Sequence, residues 1–161
     1  KREIMNCIVP GHVSHAGTFN SNPLVITAGL VTLLEILTEE SMNKATKLSE
    51  TLARGYEEII KDTKIPVIVQ WAGTSGTVHF TKVKKVEDWR SFLTSDVARW
   101  YLYVMVMMNR GIIPMAPGPD EQWTVSVQHT REDIEKHLEV FKKVAEYVRE
   151  LDIEMPMVEA L

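Results

Sequence analysis

Apolar residues in this chain repeat with two different periods, and the changes of period mark its elements. From Leu24 to Leu37 they occur on all sides, as expected for a helix buried between two layers. Asn20 or Asn22 can cap that helix, with Pro23 in its first turn. Between Glu40 and Lys61 the positions Met42, Ala45, Leu48, Leu52, Tyr56 and Ile59 fall three or four apart among charged residues, which predicts an amphipathic surface helix. Ile65 to Gln70 and Thr77 to Thr81 read as short strands joined through a Gly73 to Gly76 turn. Thr94-Ser95-Asp96 announces another helix, carrying Val97, Trp100, Tyr101, Val104 and Met108 and ending at Asn109-Arg110-Gly111. Ile112-Ile113 restarts extended structure, Pro114, Pro117, Gly118 and Pro119 make a stiff loop, and Trp123 to Val127 reads as a third strand. Thr130 with Asp133 fits a capping box for a last helix, with Ile134, Leu138, Phe141, Val144, Ala145, Val148 and Leu151 at helical spacing. The fold class is therefore α+β: helices on a small, mostly antiparallel sheet, preceded by a long connecting helix.

Composition narrows the class of partner. At 161 residues with 45% hydrophobic content the chain fits one ordinary domain with a packed core. A net charge of −4 without a dense Lys/Arg cluster gives no footprint for nucleic acid or an anionic membrane. The longest apolar run, Leu24 to Ile36, is broken by Gly29, Thr32 and Glu35 and is shorter than the ~20 residues a membrane span requires. Cys7 is the single cysteine, which rules out an internal disulfide and suits a reducing cytoplasm. An opening of Lys1-Arg2-Glu3-Ile4-Met5, with neither initiator methionine nor targeting pattern, reads as a processed chain or a piece of a longer one.

Candidate chemistry concentrates at His15-Ala16-Gly17-Thr18-Phe19-Asn20-Ser21-Asn22-Pro23. A bare glycine, two hydroxyls and a helix start suit an anion such as phosphate, although Asn-Pro before an apolar run is also an ordinary helix N-terminus. Gly73-Thr74-Ser75-Gly76-Thr77 reads as a strand-to-strand turn rather than a phosphate loop. Cys7, His12 and His15 match no zinc spacing, so no metal is expected. His129 could act as an acid or base, but a structural hydrogen bond at a strand end is the simpler reading. Met105, Met107 and Met108 read as core filling.

Several of these segments stand in a telling order. Arg2-Glu3-Ile4-Met5, Gly17-Thr18 with Asn22-Pro23, Arg110-Gly111-Ile112, a proline-rich loop, then Glu121, Ser126 and His129-Thr130 together resemble the C-terminal part of class III aminotransferases. The Glu-x4-Ser-x2-His-Thr spacing resembles the glutamate-1-semialdehyde aminomutase branch most closely. His15 to Asn20 with Gly73 to Thr81 is also similar to β-amino-acid aminotransferases.

The resemblance implies a fold-type I enzyme dependent on pyridoxal 5'-phosphate (PLP), whose homodimer builds each active site from two subunits. It implies a role for Thr18 on the cofactor phosphate of the neighbouring subunit, with Gly17 permitting close approach, and for Glu121 on the substrate. Residues 1–23 would close the PLP-binding large domain, 24–61 would be connecting helices, and 62–161 the small domain. Substrates would be an amino acid and a keto acid or semialdehyde. No lysine here matches the one that carries the cofactor, so no catalytic residue is expected and the chain alone should be inactive. Gln128 and Thr124 stand where the branch has an alanine and an aromatic, and Glu121 to Thr130 holds no arginine to clamp a carboxylate. A β-amino-acid or ω-amino-acid transaminase, and a non-catalytic α+β dimerisation module, are the alternative readings.

Overall fold

A computed structural model describes residues 1–9, 12–115 and 118–150. The chain divides into two compact units, Lys1–Thr38 and Glu39–Leu161. The first holds α1 (Arg2–Met5), α2 (Pro23–Val31) and one turn of π-helix (Thr32–Ile36). The second holds α3 (Glu39–Thr63), β1 (Val67–Ala72), β2 (Ser75–Phe80), α4 (Trp89–Phe92), α5 (Val97–Asn109), β3 (Trp123–Thr124) and α6 (Arg131–Glu150). The expected α+β class is the observed one, with the three strands antiparallel in the order β1-β2-β3.

The long amphipathic helices formed where their periodicity placed them. Ala45, Leu52, Ala53 and Tyr56 of α3 and Ile134, Phe141, Val144, Ala145 and Val148 of α6 are buried, and α3 and α6 pack against each other. In α6 a hydroxyl cap starts the helix and cations follow the initial acids, as the macrodipole favours. Arg149 reaches across from its last turn to donate to the Thr63 carbonyl at 3.0 Å, which ties the end of α6 to the end of α3. The hairpin closes on the two-residue turn Gly73-Thr74, with Ala72 paired to Ser75 and Gly73 at φ +58°. Period-two alternation sends Val78 and Phe80 to the helices, while His79 faces Phe92 edge-on at 5.9 Å.

Four expectations are corrected. The stretch Leu24 to Leu37 is α-helical only to Val31 and then widens into the π turn, with the Leu37 N–H reaching the Thr32 carbonyl. None of it is buried: Leu24, Leu33 and Leu34 are 79%, 69% and 71% exposed. An all-round apolar surface creates a demand for cover, and among its described residues the first unit has only the four-residue α1 besides. Ile112-Ile113 forms no strand, and the third strand is two residues rather than Trp123 to Val127. Only Ser75 and Gly76 face it, and after Val125 bonds the Thr74 carbonyl the chain turns away. Of the three methionines only Met107 is in the core. Helix α5 buries the stripe Trp100, Tyr103, Val104 and Met107, which leaves Val97, Tyr101, Met105 and Met108 outward. Pro117 and Leu151 lie outside the described residues. Among those described, no helix is long and apolar enough to cross a membrane.

Candidate functional site

In the first unit Gly17 to Asn22 makes two overlapping turns. The Asn20 N–H donates to the Gly17 carbonyl at 3.2 Å and the Asn22 N–H to that of Phe19 at 3.1 Å, with Ser21 left-handed at φ +66°. Asn22, not Asn20, is the cap: its Oδ1 accepts from the N–H groups of Leu24 at 3.0 Å and Val25 at 3.4 Å. Those two amides are thereby committed, so an anion here would meet the turn rather than the head of the helix. A Cβ on Gly17 would stand 2.7 Å from Asn20 Oδ1, the far end of an exposed side chain that would have to shift. Thr18 is exposed, and among the described residues neither its hydroxyl nor the N–H groups of Thr18 and Phe19 have a hydrogen-bond partner. The turn is a small set of free donors on the surface.

Glu121 belongs to the second unit. Its N–H donates to the Gly118 carbonyl and its own carbonyl accepts from Thr77 Oγ1, both at 3.0 Å, which pins its backbone beside β2. The carboxylate is exposed, with no partner among the described residues. Five residues on, the Ser126 N–H donates to His129 Nδ1 at 2.9 Å, and the Gln128 N–H to Ser126 Oγ at 3.2 Å. His129 is thus held by a structural bond at the strand end, as expected. Thr130 gives both its N–H and its hydroxyl to Asp133 Oδ2, at 2.8 and 3.0 Å, and those bonds hold the Asp133 carboxyl below its usual range.

The strongest polar feature of the core was not read from the sequence. Tyr103 Oη lies 2.6 Å from Tyr56 Oη, which lies 2.7 Å from His137 Nε2. Burial raises both tyrosines well above their ordinary range and lowers His137 to about 4, with the nearby His129 a lesser cause. His137 is therefore neutral at pH 7. Its position was a readable signal: it stands on the apolar face of α6 between Ile134 and Phe141, where a histidine has to be paired. Among the described residues no three metal-binding side chains converge.

No family model matches the chain. Over 147 residues, 90% of its length, it is 37% identical to a glutamate-1-semialdehyde 2,1-aminomutase of Clostridium botulinum. It is homologous to the C-terminal part of those aminomutases. The chain spans about a third, 34%, of the length of that curated relative. Two solved structures share its fold. An omega-transaminase from Sphaerobacter thermophilus superposes with a TM-score of 0.71 at 22% identity, over 92% of this chain and 34% of the other. A transaminase with PLP bound gives 0.72 at 19% identity, over 92% and 34%. The α+β arrangement is accordingly the fold of about a third of each of those two chains.

Proposed function

We propose that this chain is the C-terminal portion of a PLP-dependent aminotransferase or aminomutase of the glutamate-1-semialdehyde kind, which moves an amino group between an amino acid and a carbonyl compound. The observation that carries the reading is the open donor turn at Gly17-Thr18, in a chain with this homology. A phosphate needs donors, and the free hydroxyl of Thr18 with two free N–H groups fits one. When bound, PLP supplies an electron sink for the amino-acid carbon. Thr18 would hold its phosphate across a homodimer interface, Gly17 would keep the approach open, and Glu121 would contact the substrate. Residues 1–23, 24–61 and 62–161 would be the end of the large domain, the connecting helices and the small domain of a cytoplasmic enzyme.

None of the lysines here takes the cofactor-holding position of the family, so the 161-residue chain by itself is expected to be inactive. Treated with PLP and then borohydride, it should show no stoichiometric label on any one lysine and no transamination. Peptide mapping reads the outcome, and one lysine labelled to completion together with turnover would overturn it. In the full-length polypeptide, Thr18→Ala should weaken cofactor retention about ten- to hundredfold, since a hydrogen bond to a charged group is worth ~1.5–3 kcal/mol. Thr18→Ser should retain most of it. Equal retention in the two variants, measured by equilibrium dialysis, removes Thr18 from the site.

The uncovered surface of α2 and the π turn bears on assembly. Leu24, Ile26, Leu30, Leu33 and Leu34 are all more than half exposed. Together they make an apolar patch of roughly several hundred Å², beyond what a monomer usually tolerates. The chain is expected to self-associate through it. Sedimentation velocity over a range of concentrations should show dimers or larger species, and Leu30→Glu with Leu34→Glu should shift them toward monomer. A monomer at every concentration, indifferent to those substitutions, would count against an interface here.

A further inference from the structure

Two histidines of the second unit have one ring nitrogen each committed by the fold, and both line one cleft of about 300 Å³ between Pro114-Met115 and the start of α6. At His129 the Ser126 N–H points into Nδ1 at 2.9 Å. A backbone amide can only donate, so Nδ1 is the acceptor and the proton of the neutral ring sits on Nε2. At His137 the two tyrosines set the tautomer. Tyr103 has Tyr56 as its single hydrogen-bond partner among the described residues. Its buried O–H is satisfied only by donating to Tyr56, which then donates to His137 Nε2. The His137 proton is thereby placed on Nδ1. That nitrogen has no partner among the described residues, and His137 lines the cleft.

The cleft is therefore lined by two histidines whose tautomers are set by bonds elsewhere in the fold, one only 9% exposed and one half-buried. An adjoining groove shares Ile113, His129, Asp133 and His137 and adds Gln128 and the ammonium of Lys136. Metal ions need lone pairs, and both imidazole lone pairs are taken. Acceptors are what such a floor binds. With Lys136 offset by Asp133, whose Oδ2 is committed to Thr130, a single negative charge suits the cleft better than two. Ile113, Pro114 and Met115 give it an apolar wall.

We propose that this cleft binds a small aliphatic carboxylate, whose oxygens take the Nδ1–H of His137 and the Nε2–H of His129 while its carbon chain lies along Ile113. Tyr56 and Tyr103 are positioning residues for that site, since they decide which His137 nitrogen carries the proton.

The test is a titration of the full chain, labelled with 15N at histidine, with sodium butyrate and in parallel with sodium chloride and inorganic phosphate. Without ligand, long-range 1H–15N spectra should show His137 protonated at Nδ1 and His129 at Nε2. Butyrate should then shift both signals saturably. Tyr56→Phe should mix the His137 tautomers and weaken butyrate about tenfold, the effect of losing one hydrogen bond to a charged group. Because that variant can also disturb the core, exposed Lys136→Met serves as a second and should weaken butyrate several-fold while the spectrum stays folded. His137 protonated at Nε2 in the free protein overturns the proposal. So does a butyrate response no different from chloride up to about 100 mM, or tighter binding of phosphate than of butyrate.

Discussion

Trp123→Ala is expected to lower the free energy of unfolding of this chain by about 3–5 kcal/mol, the usual cost of truncating a buried large aromatic. The ring is 4% exposed and lies parallel to Tyr56, with centroids 5.4 Å apart and planes 4° from coplanar. Its other neighbour is a missing atom: a Cβ on Gly76 would run into the Trp123 ring and stand 2.8 Å from the Trp71 Cβ. Gly76→Ala alone should therefore cost about 1–3 kcal/mol through overpacking on a strand that cannot step aside. The double variant discriminates this account from a general weakening of the sheet. With the indole gone, the clash with the ring is removed and only the one with the Trp71 Cβ remains, so the double variant should lose less than the two single losses added together. Urea unfolding of the four proteins reads this, and strict additivity would mean that the ring does not rest on Gly76.

Acid should destabilise the second unit in a window set by His137. Its folded pKa is about 4 against 6.5 for the free side chain. Between those values the unfolded chain binds more protons than the folded one. Stability is therefore fully present above pH 6.5 and is lost as the pH falls toward 4, by about 3 kcal/mol in all, since each pH unit across that window removes ~1.4 kcal/mol. His79, lowered by burial, acts in the same direction. The carboxyls of Asp88, Glu132, Asp133 and Glu139 are depressed from ordinary values of 3.8 to 4.5, at or below the acid end of this window, and they are solvent-exposed, so their contribution is small. His137→Gln keeps an acceptor for Tyr56 without a titrating ring, and should flatten the pH profile to the slope that His79 leaves. Unfolding free energies measured from pH 7.5 to 4.5 that are flat in the unsubstituted chain would show that His137 does not stay neutral in the fold.

Legibility differed by length and locality. The 25-residue α3 and 20-residue α6 were readable because several turns of one period accumulate. The capping box of α6 and the hairpin were readable because both are decided within four residues. The four-residue α1 and α4 carry too little periodicity to register. The π turn was hidden for another reason, since an all-apolar run looks the same under any helical pitch. At the candidate site the helix start at Pro23 and a cap at Asn20 or Asn22 were legible because a cap is local. The outward face of α5 was not, because Trp100 and Tyr101 are equally apolar as letters and only the direction of β2 and α6 selects one for the core.

The residues by themselves determined where the long helices and the hairpin lie, a cap at Asn20 or Asn22, the box at Thr130 and the resemblance to class III aminotransferases. They also placed Tyr56 on the apolar face of its helix, but singled out neither Tyr103 nor His137. That the three form one hydrogen-bonded chain was decided by tertiary structure alone. Tyr56 lies 47 residues from Tyr103 and 81 from His137. Periodicity records which face of a helix leaves water, because that is settled within a turn or two; which polar atoms then meet across the core depends on the packing of α3, α5 and α6 together, and no local pattern encodes it.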